Sequence, residues 1–401
     1  MNHIVLRAGI TMLVFLSLSA MADVNNKKSI NYPLTDGITA SPSIVLSSRH
    51  DDNIFLQDKV AVRSSWITEV APSLMLWTQQ GTDFYTAKYT LKAGRYHSSR
   101  NDDYVDHLFN INTHTEFNHR NKLDVKFDYL KLHEKRGSGI SDGTGRVSNT
   151  PDEYRDIQLA GSYTYGADTA QGRIKLDASH FDRKYTNHRN NTRVFDRTED
   201  EFAGTFFYRI MPKTFLLFEA KYKDIAYDNN PLSVPKLDGD EQTYQAGVTW
   251  EATAKTTGIA KLGKTYRDFD SSQYKDRDFT SWELGAKWTP LSYSVFKIKS
   301  SSKPTASTGS STFIRKKQVE LSWRHGWSDR FYSTLLTRFS NEDYIGSFRD
   351  DDLEYYRAGL EYQFRRTIAF GMDYSYKTRD SNRAGSDYTD NIFMLTAKIG
   401  I

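Results

Sequence analysis

Ionisable side chains recur at alternate positions along much of this chain, and any chemistry that it performs must draw on them. The clearest case is Asp124, Lys126 and Asp128, where two carboxylates flank an amine at a spacing of two residues. Such groups can act as general acid and base when they lie close together. The same spacing is expected wherever a β-strand turns one face to water, because alternate residues of a strand point to the same side. The triplet is therefore compatible with a catalytic site or with a hydrated wall.

Signals that would single out catalysis or metal binding are weak. No nucleophile motif and no His-Glu-x-x-His motif stands out, and His114, near Glu116, is the one histidine of interest on the charged face. The chain has no cysteine, which excludes disulfides and thiol chemistry and disfavours a structural zinc site. Acidic runs such as Asp51-Asp52 lack the ligand spacing of a calcium loop. We predict no catalytic residues, no metal site and no cofactor.

The charged positions belong to segments whose other face is apolar. Residues 353–376 illustrate this with two predicted strands and a tight turn. Arg357 and Glu361 fall on one face of the first strand. The opposite face comprises Tyr356, Ala358, Leu360, Tyr362 and Phe364. A soluble sheet would pack that apolar face on a core, whereas a membrane barrel turns it toward lipid and keeps the charges inside.

The lengths of the connections decide between these two folds. Short connections such as 290–291 and 365–366 alternate with long ones such as 137–153 and 301–314 along the whole chain. Outer-membrane barrels show this asymmetry, with tight periplasmic turns and longer outer loops. We therefore predict an all-β fold, a transmembrane antiparallel up-and-down β-barrel of about 18 strands, with 16 as the alternative. It would lie in the outer membrane of a Gram-negative cell with both termini in the periplasm.

Aromatic residues beside the short turns support a membrane barrel, because such rings favour the membrane–water interface. The alternative is that aromatic residues simply suit strands. The residues of this predicted girdle are Trp77, Phe84, Phe117, Tyr165, Trp250, Trp288, Trp327, Phe331 and Phe364.

The N-terminus has the pattern of a secretory signal. Arg7 precedes a short apolar run, and Ala20-Met21-Ala22 has the small-x-small form of a cleavage site. The alternative, a membrane anchor, is disfavoured because the run is too short to span a bilayer. We predict a signal peptide at residues 1–22, a flexible periplasmic segment at 23–39 and the barrel at 40–401. The long loop 137–153 could fold inward and narrow the pore.

The face predicted to line the lumen carries both signs of charge. Such charges set the selectivity of a pore. The alternative for each residue is that it keeps the lumen wet and pairs across strands. The balance within this face is richer in Lys and Arg, which predicts a weak preference for anionic solutes. The predicted lumen residues are Lys88, Lys92, Glu116, Asp124, Lys126, Asp128, Lys261, Glu283, Lys287, Lys297, Glu320, Arg324, Arg338, Arg357, Glu361 and Asp373.

Both ends of the predicted barrel carry features of a known family. The opening segment ends in Asp51-Asp52-Asn53-Ile54-Phe55, and the last strand runs from Asn391 to Ile401 with an alternating apolar face. These features resemble the putative β-barrel porin 2 family. The resemblance implies a barrel of about eighteen strands and an association with exopolysaccharide or capsule production. A terminal isoleucine, Ile401, replaces the usual terminal aromatic residue.

We therefore expect a porin-like barrel with an aqueous lumen for passage or surface delivery of polysaccharide or other hydrophilic solutes. Two alternatives are a non-conducting structural or assembly barrel of a polysaccharide machine, and an outer-membrane barrel enzyme. Expected partners are outer-membrane lipid and lipopolysaccharide, the barrel-assembly machinery through residues 391–401, and polysaccharide or its export proteins. A formal net charge of +4 is too small to indicate a nucleic-acid binder.

Overall fold

Antiparallel strands make up most of the computed structural model, which describes residues 30–401 except 36, 59–61, 144–148, 230–234, 254 and 310. Short helical turns lie at Arg100–Asp102, Gly139–Ser141, Arg189–Thr192 and Arg193–Phe195. Across these described ranges, no helix has both the length and the apolar character needed to cross a membrane. The strands are β1 (Tyr32–Thr35), β2 (Ile38–Asp51), β3 (Ser65–Gln80), β4 (Asp83–Tyr96), β5 (Tyr104–Asn118), β6 (Asn121–Glu134), β7 (Asp152–Tyr165), β8 (Gly172–Tyr185), β9 (Arg197–Met211), β10 (Thr214–Tyr227), β11 (Gly239–Thr253), β12 (Thr256–Phe269), β13 (Arg277–Leu291), β14 (Ser294–Ala306), β15 (Phe313–Gly326), β16 (Phe331–Ile345), β17 (Asp350–Arg365), β18 (Ile368–Ser381) and β19 (Tyr388–Gly400).

The strands from β2 to β19 form a closed ring. Each pairs with its neighbours in the chain, and β19 pairs with β2 from Ile392↔Asp51 to Gly400↔Ser43. Closure leaves no sheet edge with unpaired backbone groups. The short strand β1 pairs with the start of β2, where Tyr32 lies opposite Ala40. The predicted antiparallel barrel of 18 strands is therefore confirmed, with one short strand added.

Connections of two lengths separate the two ends of the barrel. Short turns such as 81–82, 212–213 and 366–367 lie at one end, which we call the turn rim. The longer connections, such as 52–64 and 135–151, lie at the other end, the loop rim. Because the ring has an even number of strands, the start of β2 and the end of β19 both lie at the turn rim.

Cross-strand register assigns each side chain to the inside or the outside, because directly opposed residues share a face. Leu360 lies opposite Met372, and both are exposed, at 42% and 45%. Arg357 and Glu361 lie on the other face, opposite Ser375 and Gly371. Following the register around the ring places the exposed apolar side chains outside and the buried charges inside. The predicted facing of residues 353–376 is confirmed.

Two expectations need correction, and a third concerns residues that the structure does not describe. The predicted flexible segment 23–39 contains β1 and the start of β2 within its described part, because a hairpin with a turn at Gly37, φ +99°, forms there. Trp77 and Phe84, assigned to the aromatic girdle, lie on the inner face, and Trp77 donates a hydrogen bond to Ser41 at 3.0 Å. The predicted signal peptide, residues 1–22, lies outside the described residues.

Candidate functional site: the charged interior and its inward loop

All predicted lumen residues occupy the inner face of the ring by register, but they do not behave alike. Each member of the triplet Asp124, Lys126 and Asp128 forms an ion pair with another residue of the same wall. Lys126 Nζ lies 2.6 Å from Asp128 Oδ2. His114 Nδ1 lies 2.8 Å from Asp124 Oδ1, and its Nε2 lies 3.5 Å from Glu116. The contacts of Lys126 with Asp128 and of His114 with Glu116 lie along one strand, and that of His114 with Asp124 joins two strands. Pairs of both kinds are expected of a hydrated wall.

A nucleophile motif that sequence reasoning overlooked lies in the loop after β6. Residues 139–143 read Gly-Ile-Ser-Asp-Gly, which matches Gly-x-Ser-x-Gly. In a hydrolase this motif sits on a sharp strand-to-helix turn that exposes the serine. Here Ser141 closes a 3-10 turn, is 6% exposed, accepts a hydrogen bond from Gly137 N at 3.0 Å and donates one to Ser138 O at 3.0 Å. The serine is a structural part of the loop.

Ion pairs neutralise the inner face of β9–β12, which we call the paired wall. Lys261 is 4% exposed, and its Nζ lies 2.9 Å from Glu219 and 3.1 Å from Glu283. Lys223 lies within 3.7 Å of the carboxylates of Glu199, Glu201 and Glu241. Lys261 and Lys223 thus share their charges with carboxylates that lie one or two strands away.

Lysines dominate the next part of the wall. Lys297, Lys299 and Lys303 follow one another on the inner face of β14, and Lys287 of β13 lies directly opposite Lys297. We call these four residues the lysine row. Lys287, Lys297 and Lys303 form no ion pair with any carboxylate in the described part of the chain. Opposed like charges are unfavourable, so this arrangement maintains a positive patch at a cost.

Sequence reasoning identified Lys287 and Lys297 but missed Lys299 and Lys303. The spacing Lys-x-Lys-x-Ser-x-Lys over 297–303 carries the signal. The predicted connection 301–314 includes Lys303 and so places it in a loop. In the structure β14 continues to Ala306, with Pro304 opposite Arg315.

Most of the remaining predicted residues form further ion pairs. Arg338 lies 2.6 Å from Glu320, and Arg357 lies 2.6 Å from Asp373. Glu361 lies 3.0 Å from Lys398, which was not predicted. The other distances are 3.9 Å from Arg324 to Glu361 and 3.2 Å from Glu116 to Lys122. Lys88 and Lys92, on β4, form no ion pair with a described carboxylate.

Residues 135–143, between β6 and β7, reach into the interior from the loop rim, and we call them the inward loop. Lys135 Nζ lies 2.8 Å from Asp51 and 3.4 Å from Asp390, so it bridges the first and last strands of the ring. Burial works to lower the pKa of Lys135, but the charges of Asp51 and Asp390 outweigh it and raise the pKa. Arg136 Nε lies 2.6 Å from Asp102. The root of the loop is thus fixed by the half-buried Lys135 and the buried Arg136.

The motif that carried the family resemblance forms the platform for this loop. Asp52 accepts hydrogen bonds from the backbone N and the side-chain Nδ2 of Asn391, both at 2.7 Å. Asn53 is fully buried and donates to Thr389 O at 2.8 Å. Phe55 is 3% exposed and its ring lies 4.2 Å beneath the Arg136 guanidinium. The motif therefore ties β2 to β19 and supports the root of the inward loop.

Glycine is required where the loop meets this platform. Gly137 has φ +84°, and a Cβ on it would lie 1.7 Å from the carbonyl oxygen of Phe55. No other residue fits at such a close approach.

The tip of the inward loop contacts the far side of the barrel. Asp142 Oδ2 lies 2.6 Å from Arg349, which precedes β17, and Oδ1 lies 2.7 Å from Arg379 of β18. Burial works to lower the pKa of Arg349, but the hydrogen bond to Asp351 and the charge of Asp142 outweigh burial and raise the pKa above its usual value. The guanidinium therefore stays charged. The expectation that loop 137–153 folds inward is confirmed for residues 137–143. Residues 144–148 lie outside the described residues.

A cavity of about 1080 Å³ lies between the inward loop and the inner face of β15–β18. Its lining combines loop residues with cations and tyrosines of the wall, including Lys316, Lys377, Arg379 and Tyr355. Lys377 forms no ion pair with a described carboxylate, and its Nζ lies 5.1 Å from the centre of the Tyr388 ring. No group of three or more His, Asp or Glu residues in the described chain is arranged to hold a metal ion.

The family comparison agrees with this geometry. Residues 37–400 match the family model described as putative beta-barrel porin 2. Among solved structures, OccK2 (OpdF) of Pseudomonas aeruginosa is 12% identical, with 90% of this chain and 97% of that chain covered and a TM-score of 0.49. OpdO of the same species is 13% identical, with 91% and 98% covered and a TM-score of 0.48. No curated protein matches the chain.

Proposed function

From the premise that the chain belongs to the putative beta-barrel porin 2 family, we propose that its lumen is water-filled and passes hydrophilic solutes with a preference for anionic ones. The chain is a porin-like outer-membrane β-barrel. The finer proposal is passage or surface delivery of acidic polysaccharide or its fragments. The association with exopolysaccharide and capsule comes from the family resemblance. The positive charge of the interior is compatible with it, because acidic polysaccharides carry carboxylates.

The proposed anionic preference is supported by an excess of unpaired cations over unpaired carboxylates on the inner face. On the inner face of the described strands, Glu134 and Glu251 are the carboxylates that form no ion pair with Lys, Arg or His. Unpaired cations are more numerous there. They include Lys88, Lys92, Lys287, Lys297, Lys303 and Lys377. A charge in a water-filled pore acts over a Debye length of about 8–10 Å at physiological salt, so we expect a bias toward anions rather than a strict filter.

We propose further that the turn rim faces the periplasm and the loop rim faces outward. Tight turns are typical of the periplasmic end of outer-membrane barrels. Both ends of the ring lie at the turn rim, so the N- and C-termini would be periplasmic. Residues 391–401, which include most of β19 and the residue after it, would then end where the barrel-assembly machinery can recognise them.

Reversal potentials in planar bilayers under a KCl gradient test the anionic preference. We expect the wild-type chain to favour chloride and the double variant Lys287→Gln, Lys297→Gln to lose most of that preference. The matched control is Arg357→Gln, Asp373→Asn, which also removes two charged groups from the wall but leaves the net charge unchanged. Cation selectivity in the wild type, or equal losses in both double variants, would contradict the proposal.

A second candidate is the non-conducting structural or assembly barrel. The inward loop favours it, because this segment extends from β6 to Arg379 of β18 and occupies part of the interior. Stable ohmic steps in the same bilayer recordings support the pore, whereas silence from a folded, heat-modifiable preparation supports the structural barrel.

A further inference from the structure

The contact between the inward loop and the far wall has the form of a ligand site occupied by the chain itself. Asp142 presents one oxygen to each of two guanidinium groups, at 2.6 Å to Arg349 and 2.7 Å to Arg379. The two arginine side chains are 10% and 8% exposed. Charge-assisted contacts of this kind are short and strong, and arginine is the residue best suited to hold a carboxylate.

The two arginines are held in place without Asp142. Asp351 is fully buried and accepts a hydrogen bond from Arg349 Nε at 2.9 Å, and its other oxygen lies 3.9 Å from Arg379. Arg379 Nε also donates to Ser386 O at 2.6 Å. The wall therefore keeps a prepared pair of guanidinium groups, of which Asp351 neutralises one charge. Among Arg349, Arg379, Lys377 and Asp351, three cations therefore meet one carboxylate, while Asp390, directly opposite Lys377, is paired with Lys135.

The loop in turn does not depend on Asp142 for its own anchoring. Its root is held by Lys135 and Arg136, and its close contact with Phe55 is made by Gly137. The 3-10 turn is closed by the bond from Ser141 N to Ser138 O at 3.1 Å. Release of the Asp142 carboxylate would therefore free the tip while the root stays in place.

We propose that Arg349, Arg379 and Lys377 form a binding site for a carboxylate-bearing solute, and that Asp142 occupies this site until a solute displaces it. The adjoining cavity of about 1080 Å³ is at the upper end of the size of small-molecule pockets, so it has room for a sugar acid beside the loop. Tyr355 lines the same cavity. Displacement frees the loop tip and widens the passage next to β15–β18. The inference rests on the proposed function. To the proposed passage of solutes it adds the class of solute that binds and the point in the barrel at which passage is controlled.

In one state of the loop Asp142 contacts Arg349 and Arg379, and in the other the Asp142 carboxylate is released. A solute can shift the loop only by binding more tightly to the state in which Asp142 is released. Removing Asp142 removes its competitor, so binding should tighten. Isothermal titration of the full chain in detergent with galacturonate is expected to show about tenfold tighter binding in Asp142→Ala and Asp142→Asn than in the wild type. Galactose, which lacks the carboxylate, should give no binding to any of them. Adding Lys377→Gln to the Asp142→Ala variant should weaken its galacturonate affinity several-fold.

The matched control is Asp156→Ala. Asp156 accepts hydrogen bonds from Arg183 at 2.8 and 2.7 Å, so it also belongs to an arginine–carboxylate pair on the inner face, but one between neighbouring strands. Its removal should leave galacturonate binding and single-channel conductance unchanged, whereas Asp142→Ala should raise the conductance.

Several results would overturn the inference. Equal changes in Asp142→Ala and Asp156→Ala would show a general effect of charge. Unchanged galacturonate affinity in both Asp142 variants would show that Asp142 does not occupy the site, and an equal gain for inorganic phosphate would exclude a carboxylate-selective site. If the barrel is silent in bilayers but the gain in galacturonate affinity is present, the proposed passage fails and the binding site stands.

Discussion

The paired wall and the lysine row occupy adjacent parts of the same barrel and follow the same alternation, yet they use lysine in opposite ways. Lys261 is almost completely buried between two carboxylates, whereas Lys297 and Lys303 are exposed to the interior and face other lysines across the strands. On the paired wall the charges serve the structure, because each would be costly to bury alone. For Lys287, Lys297 and Lys303 of the lysine row, no ion pair with a carboxylate of the described residues offsets the charge, so it is available to solutes. A charged inner face is therefore not by itself a selectivity determinant, and pairing decides which part of it can act on a solute.

The largest expected effect comes from removing a cation on the paired wall. Lys261→Met leaves Glu219 and Glu283 without their shared partner, although Glu219 keeps Lys221 at 3.2 Å. Breaking a buried ion pair from one side costs about 3–5 kcal/mol. We expect a lower denaturant midpoint, read from the heat-modifiable band on a gel and from circular dichroism in detergent. Lys297→Met is the matched control and should unfold at the wild-type midpoint or above it. Equal destabilisation of the two variants would remove the distinction between the walls.

The second effect concerns the outer face that both walls share. Leu360→Arg places a charge among the exposed apolar side chains, at a cost of about 2–4 kcal/mol near the middle of the membrane. Arg357→Leu, three residues away on the inner face, should leave assembly intact and change the conductance. Yields of folded protein from outer membranes and single-channel recordings measure the two outcomes. The opposite pattern would mean that the register of β17 is wrong by one residue.

The local period of the sequence was sufficient to predict this register, and it explains what could and could not be predicted. Alternation with period two assigns Leu360 and Arg357 to opposite faces without knowledge of any partner strand. The alternating lengths of the connections gave the number of strands and the two rims. The short strand β1 was missed because four residues are too few to establish a period and Pro33 is uncommon within a strand.

Contacts between distant segments lay beyond the reach of this reasoning. Whether Lys261 meets Glu219 depends on the register between separate strands, and the local pattern does not specify that register. The bond between Arg379 and Asp142 joins residues 237 positions apart. The sequence indicated that loop 137–153 could turn inward, but not which side chain would receive its tip. The local period therefore sufficed to group these side chains on one face, whereas the division of that face into paired and unpaired charges needed the structure.

The smallest expected effect is a gain in stability on the lysine row. Lys287 and Lys297 are directly opposed, and like charges in that position are unfavourable by roughly 0.2–1 kcal/mol. Lys287→Gln should therefore raise the free energy of unfolding slightly at low salt, because the repulsion disappears while the side chain keeps a similar length. Since the repulsion acts through water, the gain should shrink as ionic strength shortens the Debye length. Denaturant midpoints of the wild type and the variant, measured at about 0.01 M and about 1 M salt, test this difference. A loss of stability that does not depend on salt would show that Lys287 has a structural partner, and the lysine row would then resemble the paired wall.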